Sequence, residues 1–448
     1  MKPVKLNDIY DIKITGLGSN GEGVGRFDDF TIFVEGALPD EIVKAKITSI
    51  KNNYAIAQLI SITKRSSDRV EPRCPIYNEC GGCQLQHLSY TAQLKAKRQK
   101  VIDSITRIGK INVEVKKTVG MANAWNYRNK MQFPVNRVNG QVKIGCFAKS
   151  SHNVIDTDSC LIQRIENDKI LQTTRRVIKS LKIPIYDEDT HKGILRHIMG
   201  RVGLDETMLV LVTASENLPN SKLIVQSLRK ELPKITSIQQ NIQKQHNNVI
   251  LGRKTKLLYG QNTIRDKIGD FNFNISPRSF FQVNTSQAEK LYQIALDFAD
   301  LKGREIVVDA FCGTGTITLF FARHAKYAYG IEIVSSAIED AKLNARNNHV
   351  RNVQFINGDA AIILPKLGIK PDVIVLDPPR AGCDEKVLRT IGRLKPSKIV
   401  YVSCNPATLA RDLNILEVNG YKTKIVQPVD MFPFTAHVES VALLIKTL

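Results

Sequence analysis

The chain contains no run of about 18 apolar residues, and its opening stretch, Met-Lys-Pro-Val-Lys-Leu-Asn-Asp, lacks the apolar core of a secretory signal. These absences argue against a membrane-spanning helix and lead to the expectation of a cytoplasmic protein with no membrane partner. Acidic residues are also scarce, 43 Asp and Glu against 64 Lys and Arg, a formal net charge of +21. Such an excess favours a polyanionic partner, nucleic acid first, and says little about fold. Disulfides are not expected: the eight cysteines of a long cytosolic chain are better explained by metal binding or catalysis. With 43% apolar and 24% charged residues the chain is globular, and its 448 residues call for two to four domains.

A complete dinucleotide fingerprint is missing as well. From about residue 257 to 448 short apolar runs alternate with helical patterns, the signature of a doubly wound Rossmann-like sheet. Glu305–Asp309 reads as a buried strand, Ala310–Thr316 as a glycine turn and Ile317–His324 as the start of a helix. Thr318 stands where G-x-G-x-x-G requires its third glycine. A nucleoside ligand without pyrophosphate does not need that glycine, so S-adenosylmethionine fits better than NAD. Glu332, at the end of the next strand, sits where an acid accepts hydrogen bonds from ribose hydroxyls. Asp377 ends a later strand and is followed by two prolines and Arg380, giving a stiff acidic tip over the crevice. The run Ile399–Val402 then ends in Ser403-Cys404-Asn405-Pro406 before a further helix. A thiol at a strand's carboxyl end lies over a binding crevice, which makes Cys404 a candidate nucleophile, although an isolated cysteine is more often an inert, buried small hydrophobe.

Residues 1–63 show short, alternating, β-branched segments at Ile9–Thr15, Phe30–Glu35, Glu41–Ile50 and Tyr54–Ile62, separated by the glycine-rich stretch 16–25 and by Gly36–Asp40. This predicts a small closed barrel of the OB type, with glycines at its corners. The region 64–256 reads as a central α+β domain. Its Cys74, Cys80 and Cys83 are clustered and Cys160 is distant. Four thiolates suit zinc or an iron-sulfur cluster, and three plus one favours the cluster narrowly, with simple burial of the thiols behind both. A helix is expected over Tyr90–Ile108, with Lys95, Arg98 and Lys100 on a face that is solvated unless it meets phosphate. Trp125 and Tyr127 lie beside Arg128 and Lys130, a composition that serves either base stacking or a core aromatic pair.

The segments F-F-Q-V-N (280–284), D-A-F-C-G-T-G (309–315), D-P-P-R (377–380), S-C-N-P-A-T-L-A-R-D (403–412) and H-V-E (437–439) resemble the RNA uracil-5-methyltransferase family. The N-terminal barrel resembles a TRAM domain. Barrel and four cysteines together make the chain most similar to the 23S ribosomal RNA branch, since the tRNA branch typically lacks both. The resemblance implies RNA, most of all 23S rRNA, as partner; a protein partner is not implied by it. It also implies a [4Fe-4S] cluster on Cys74, Cys80, Cys83 and Cys160, and contacts to S-adenosylmethionine from Gln282, Phe311, Glu332 and Asp377. Cys404 becomes the nucleophile and Glu439 the proton acceptor, in preference to His437. Cys312 and Cys383 receive no role. Phe311 is often tyrosine in relatives, so a hydroxyl contact there is lost.

Three other readings compete. Adenine-N6 methyltransferases share acid-Pro-Pro motifs but favour an aromatic residue where Arg380 stands. Cytosine-C5 enzymes also add a thiol, but from a proline-cysteine motif, whereas here proline follows Cys404 by two positions. A non-catalytic RNA-binding or assembly factor is disfavoured by the intact Cys404, Asp377 and Glu439.

Overall fold

A computed structural model describes residues 2–447. The architecture is mixed α/β in three parts: a closed five-stranded barrel, a seven-stranded sheet and an eight-stranded sheet. Among the described residues no helix is long and apolar enough to cross a membrane.

The barrel comprises β1 (Ile9–Leu17), β2 (Gly23–Phe27), β3 (Phe30–Glu35), β4 (Ile42–Ile50) and β5 (Tyr54–Lys64). Alternation places Ile12, Ile14, Ile32, Val34, Val43, Ala45 and Ile47 inside. Strand β2 was not expected, because glycine carries no strand signal. Its glycines instead permit close approach: a Cβ on Gly25 would meet Ile12 Cγ2 at 2.4 Å and Lys13 O at 2.5 Å.

Next come α1 (Tyr90–Arg107) and the two-residue β6 (Glu114–Val115). The central sheet is built from β7 (Lys130–Val138), β8 (Gln141–Phe147), β9 (Val154–Asp156), β10 (Leu195–Val202), β11 (Thr207–Thr213), β12 (Ile235–Ile242) and β13 (Lys254–Gly260). Helices α2 (Ile165–Ser180) and α3 (Ser221–Glu231) cover it through Ile170, Leu171, Val177, Ile224 and Leu228. Only β11 and β12 run parallel, which is why α3 is needed as their crossover.

A hairpin of β14 (Ile264–Ile268) and β15 (Phe271–Ile275) leads to α4 (Thr285–Ala299). Alternating units follow: β16 (Ile306–Asp309), α5 (Thr316–Ala322), β17 (Tyr327–Glu332), α6 (Ser335–Asn347), β18 (Val353–Asn357), α7 (Ala360–Ile363), β19 (Val373–Leu376), α8 (Glu385–Leu394), β20 (Lys398–Ser403), α9 (Pro406–Val418), β21 (Tyr421–Val429) and β22 (Glu439–Lys446). The sheet order is β18-β17-β16-β19-β20-β22-β21-β6. Neighbouring residues in each strand face opposite layers: Val307, Val375 and Val400 pack with α4, α5 and α6, and Val308, Ile374 and Ile399 with α8 and α9. Helix α1 joins that second layer through Val101 and Ile105, and β6 pairs with β21, so part of the stretch 64–256 completes the C-terminal sheet.

The basic face of α1 is not simply solvated. Arg98 Nε donates to Val115 O at 2.9 Å, and Lys100 Nζ to Ser19 O at 2.8 Å and Ala436 O at 2.9 Å. Lys97 is buried and bonds Asp430 Oδ1 at 2.5 Å and Phe432 O at 3.0 Å. Tyr90 OH completes the site with a bond to Asp430 Oδ2 at 2.9 Å. Removing one member of such a pair leaves the other charged and uncompensated in the interior. Lys97→Met is therefore expected to lower unfolding free energy by about 3–5 kcal/mol, with much of the loss recovered in Lys97→Met/Asp430→Leu, as read by chemical denaturation.

Candidate active site

The parallel strands deliver their carboxyl ends to one edge of the eight-stranded sheet. Asp309 ends β16, Glu332 ends β17, Asp377 follows β19 and Cys404 follows β20. Strand β22 runs the other way, and its register opposite β20 pairs Ser403 with Ser440. The next residue on each side, Cys404 and Glu439, is thereby brought to the same edge.

The glycine turn connects β16 to α5. Gly315 lies at φ +83° as the cap of α5, where a Cβ would meet the Phe355 ring at 2.9 Å. Glu332 Oε2 accepts from Gly313 N at 3.2 Å and Oε1 from Val334 N at 2.8 Å, fixing the acid against this turn. Thr318, at the position of the missing glycine, donates its hydroxyl to Asp309 Oδ2 at 2.6 Å. Burial still raises Asp309 to about 6. The threonine thus anchors the strand-end acid. Phe311 is half-buried beside the second layer.

The turn at Cys404 is made by its neighbours. Asn405 caps α9, its side chain accepting from Ala407 N at 3.1 Å, and Pro406 occupies the first turn. Asn405 Nδ2 and Thr408 Oγ1 both donate to Arg380 O, at 3.1 and 3.3 Å. The Asp-Pro-Pro-Arg segment and the cysteine turn are thereby one unit. Asp412 is fully buried beneath them and accepts from Cys383 N at 2.8 Å and Tyr401 OH at 2.5 Å. Cys383 and Cys312 are buried.

Electrostatics at this edge are crowded. Burial, then the charge of Asp309, pushes Asp377 up to about 7. Burial and Asp377 push Glu439 up to about 8 against the pull of Arg380. Burial, Glu439 and Asp377 raise the Cys404 thiol to about 11, again opposed by Arg380. His437 is held down to about 4 by burial and by Arg380, Lys100 and Lys97. Tyr292, fully buried on α4, lies 3.2 Å from Thr316 Oγ1, and its phenol is kept protonated by burial and by Asp377 and Glu439. The sequence reading missed it; a tyrosine among Ala288, Leu291 and Ala295 on an otherwise apolar helix face was the available signal.

A cavity of about 550 Å³ is lined by Gln282, Arg380 and His437 together with Cys74, Cys80, Cys83 and Cys160. A fifth cysteine, Cys146 on β8, lines it too. No spacing motif betrays Cys146, which reaches the cavity only through pairing of the central strands. Gly82 N donates to Cys80 Sγ at 3.3 Å. Among the described residues no three His, Cys, Asp or Glu side chains converge closely enough to hold a single metal ion. Trp125 stacks on Phe434 with centroids 3.9 Å apart, and Tyr127 is buried with its hydroxyl donating to Pro433 O. The pair therefore serves the core instead of standing free for bases.

A closed β-barrel joined to a Rossmann-like sheet, with a glycine turn, strand-end acids and a thiol at the carboxyl edge, suits a nucleoside cofactor and a nucleic-acid substrate. Residues 3–60 match the TRAM domain, and residues 89–364 and 366–447 match the tRNA (Uracil-5-)-methyltransferase family. The chain belongs to that family of RNA uracil-5-methyltransferases. It is 52% identical over 447 residues to an uncharacterized RNA methyltransferase of Clostridium tetani, covering 99% of this chain and 97% of the relative. An uncharacterized RNA methyltransferase of Listeria innocua is 49% identical over 446 residues, covering 98% of each. The crystal structure of Pyrococcus abyssi tRNA (uracil-54, C5)-methyltransferase with S-adenosyl-L-homocysteine superposes with a TM-score of 0.79 at 28% identity, covering 97% of this chain and 99% of that one.

The raised acid at Glu439 carries a stability consequence. A carboxyl whose folded pKa is about 8 stabilises the fold while protonated, and that contribution is lost as pH rises from the unfolded value near 4.5 through 8. Glu439→Gln is therefore expected to melt a few degrees above the parent at pH 9, with the difference vanishing near pH 4.5, as followed by calorimetry.

Proposed function

We propose that this enzyme methylates C5 of uridine in 23S ribosomal RNA, with Cys404 as nucleophile and Glu439 as proton acceptor. The observation that carries the reading is the β20/β22 register, which sets a thiol and a buried, proton-binding carboxylate side by side at the crevice. Uracil C5 is a poor nucleophile. Addition of the Cys404 thiolate to C6 breaks the ring conjugation and leaves an enolate that is nucleophilic at C5. S-adenosylmethionine, when bound, supplies the electrophilic methyl group. Glu439, whose high proton affinity suits it to act near neutral pH, then takes the C5 proton, and elimination returns the Cys404 thiolate. Gln282, Phe311, Glu332 and Asp377 hold the cofactor. The target base has to leave any helix to reach Cys404.

Cys74, Cys80, Cys83 and Cys160 are proposed to hold a [4Fe-4S] cluster. Thiols spread around one cavity suit several irons, each taking one thiolate, better than one ion, and the backbone N–H on Cys80 Sγ is the kind of contact that tunes cluster sulfur. The set supplies no step of the transfer.

The ribosomal assignment rests on the combination of barrel and four cysteines. A second reading, uridine in tRNA, is favoured by the Pyrococcus tRNA enzyme, which matches 97% of this chain, so barrel architecture alone does not separate the substrates.

Incubation with 23S rRNA and tRNA transcripts carrying tritium at uracil C5 tests both. Release from 23S rRNA alone is expected; release from tRNA alone moves the substrate, and release from neither by folded, cofactor-binding protein defeats the proposal. Cys404→Ala should abolish adduct and methylation, whereas Glu439→Gln should trap a methylated covalent adduct visible on denaturing gels. Glu332→Ala removes an acceptor for the ribose and is expected to weaken S-adenosylhomocysteine binding by about 10- to 100-fold, as read by calorimetric titration.

A further inference from the structure

Between β21 and β22 the chain crosses from Asp430 to His437 without regular structure, and this segment delivers Glu439. Several of its backbone carbonyls and N–H groups are tied to distant parts of the protein. Met431 O accepts from Asn284 Nδ2 at 3.0 Å, Phe432 O from Lys97, and Ala436 O from Lys100, which also holds Ser19 of the barrel. Phe434 is the point of greatest constraint. It sits at φ +66°, a left-handed conformation that a bulky residue adopts only when its surroundings impose it.

The surroundings that impose it come from the cysteine loop. Phe434 O accepts from both Gln84 N at 3.0 Å and Leu85 N at 2.9 Å, the two residues directly after Cys83. Phe434 N donates to Gln93 Oε1 at 3.0 Å, and the amide of the same Gln93 donates to Leu85 O at 3.0 Å and Leu88 O at 2.8 Å. Ala436 N reaches Gln84 Oε1 at 3.4 Å. Gln93 is fully buried, so these bonds have no competing water. The carbonyl and N–H of one strained residue are thus both held by the loop that carries Cys83 and by the helix packed on it.

We propose that residues 430–437 form a strap whose conformation is set by the cysteine loop through Phe434, and that Gln93 and Gln84 are positioning residues that aim Glu439 at the C5 proton. On this reading, which rests on Glu439 as the proton acceptor, order in the cysteine loop governs the late proton-removal step and leaves thiol addition and methyl transfer alone. It gives the distant thiols a purpose in the reaction without placing them in it: strand pairing brings Glu439 to the edge, and a disordered loop lets Phe434 relax so that the carboxylate at the strap's end loses its aim.

The protein carries a built-in reporter. Its single tryptophan, Trp125, stacks on Phe434, so its fluorescence and quenching by acrylamide follow the strap directly. The experiment compares the full-length parent with Gln93→Leu, Gln84→Ala, Cys83→Ser and Glu439→Gln. Single-turnover transfer of a radiolabelled methyl group from S-adenosylmethionine to RNA, lifetime of the covalent adduct on denaturing gels, and acrylamide quenching of Trp125 are measured for each. The expected result is methyl transfer within twofold of the parent in Gln93→Leu and Gln84→Ala, an adduct lifetime lengthened at least tenfold, and a Trp125 more open to quenching. Cys83→Ser should show the same opening of Trp125 and the same long-lived adduct. Gln84 is only half-buried, so its variant keeps the test available if Gln93→Leu fails to fold. Methyl transfer and adduct release falling together, or release at the parental rate with Trp125 opened, would overturn the strap. Parental release by Glu439→Gln itself would overturn the base assignment and the strap with it, an outcome told apart because only that variant removes the carboxylate.

Discussion

One reversed strand organises the reactive edge. In a sheet of parallel strands every carboxyl end points the same way, which gathers Asp309, Glu332, Asp377 and Cys404 but supplies no residue from a strand's beginning. Strand β22, inserted antiparallel between β20 and β21, adds one. Its first residue, Glu439, arrives beside Cys404 because the pairing is fixed at Ser403 and Ser440, and a slip of one residue would turn the side chain to the opposite face. The charge state of the edge follows. Asp309, Asp377, Glu439 and the Cys404 thiol, crowded and buried together, are all pushed toward their protonated forms, and Arg380 is set among them by the turn it shares with Asn405 and Thr408.

Much of this was legible in the sequence because it depends on local chemistry. Apolar runs ending in acids, a glycine turn and a cysteine between strand and helix each carry their own signal, and the ends of these elements fall within a few residues of the expected ones. What escaped notice depends on partners distant in the chain. Strand β2 is unreadable because its glycines are chosen for what they pack against. Tyr292, Cys146 and Lys97 acquire their surroundings from residues far along the sequence. The aromatics at Trp125 and Tyr127 had two readings until Phe434 and Pro433 proved to be their partners. Lys95, Arg98 and Lys100 looked alike as a solvated stripe, yet two of them bind carbonyls of other segments.

Thr318 shows how a departure from a motif is explained. The glycine it replaces serves close packing of helix on strand; here the position takes a hydroxyl that bridges helix to strand and steadies Asp309. The neighbouring acids keep their geometry although burial works against their ionisation. Burying acids that would ionise in water costs stability at this edge.

The pairing of β6 with β21 and the packing of α1 beneath the same sheet have a consequence for synthesis. A chain made from its amino end releases α1 and β6 long before the strands they complete. Their apolar faces, Val101, Ile105 and Val115, must wait while the whole central sheet is translated between them and their partners. The central sheet is therefore an insertion in the assembly of the transferase domain, and the two halves of that domain close around it only once β21 has left the ribosome. Long-range closure of this kind is slow and leaves surface exposed meanwhile. A cut at residue 257 would leave the transferase sheet with an open edge and an uncovered face, so its fold draws on two separated pieces of one chain.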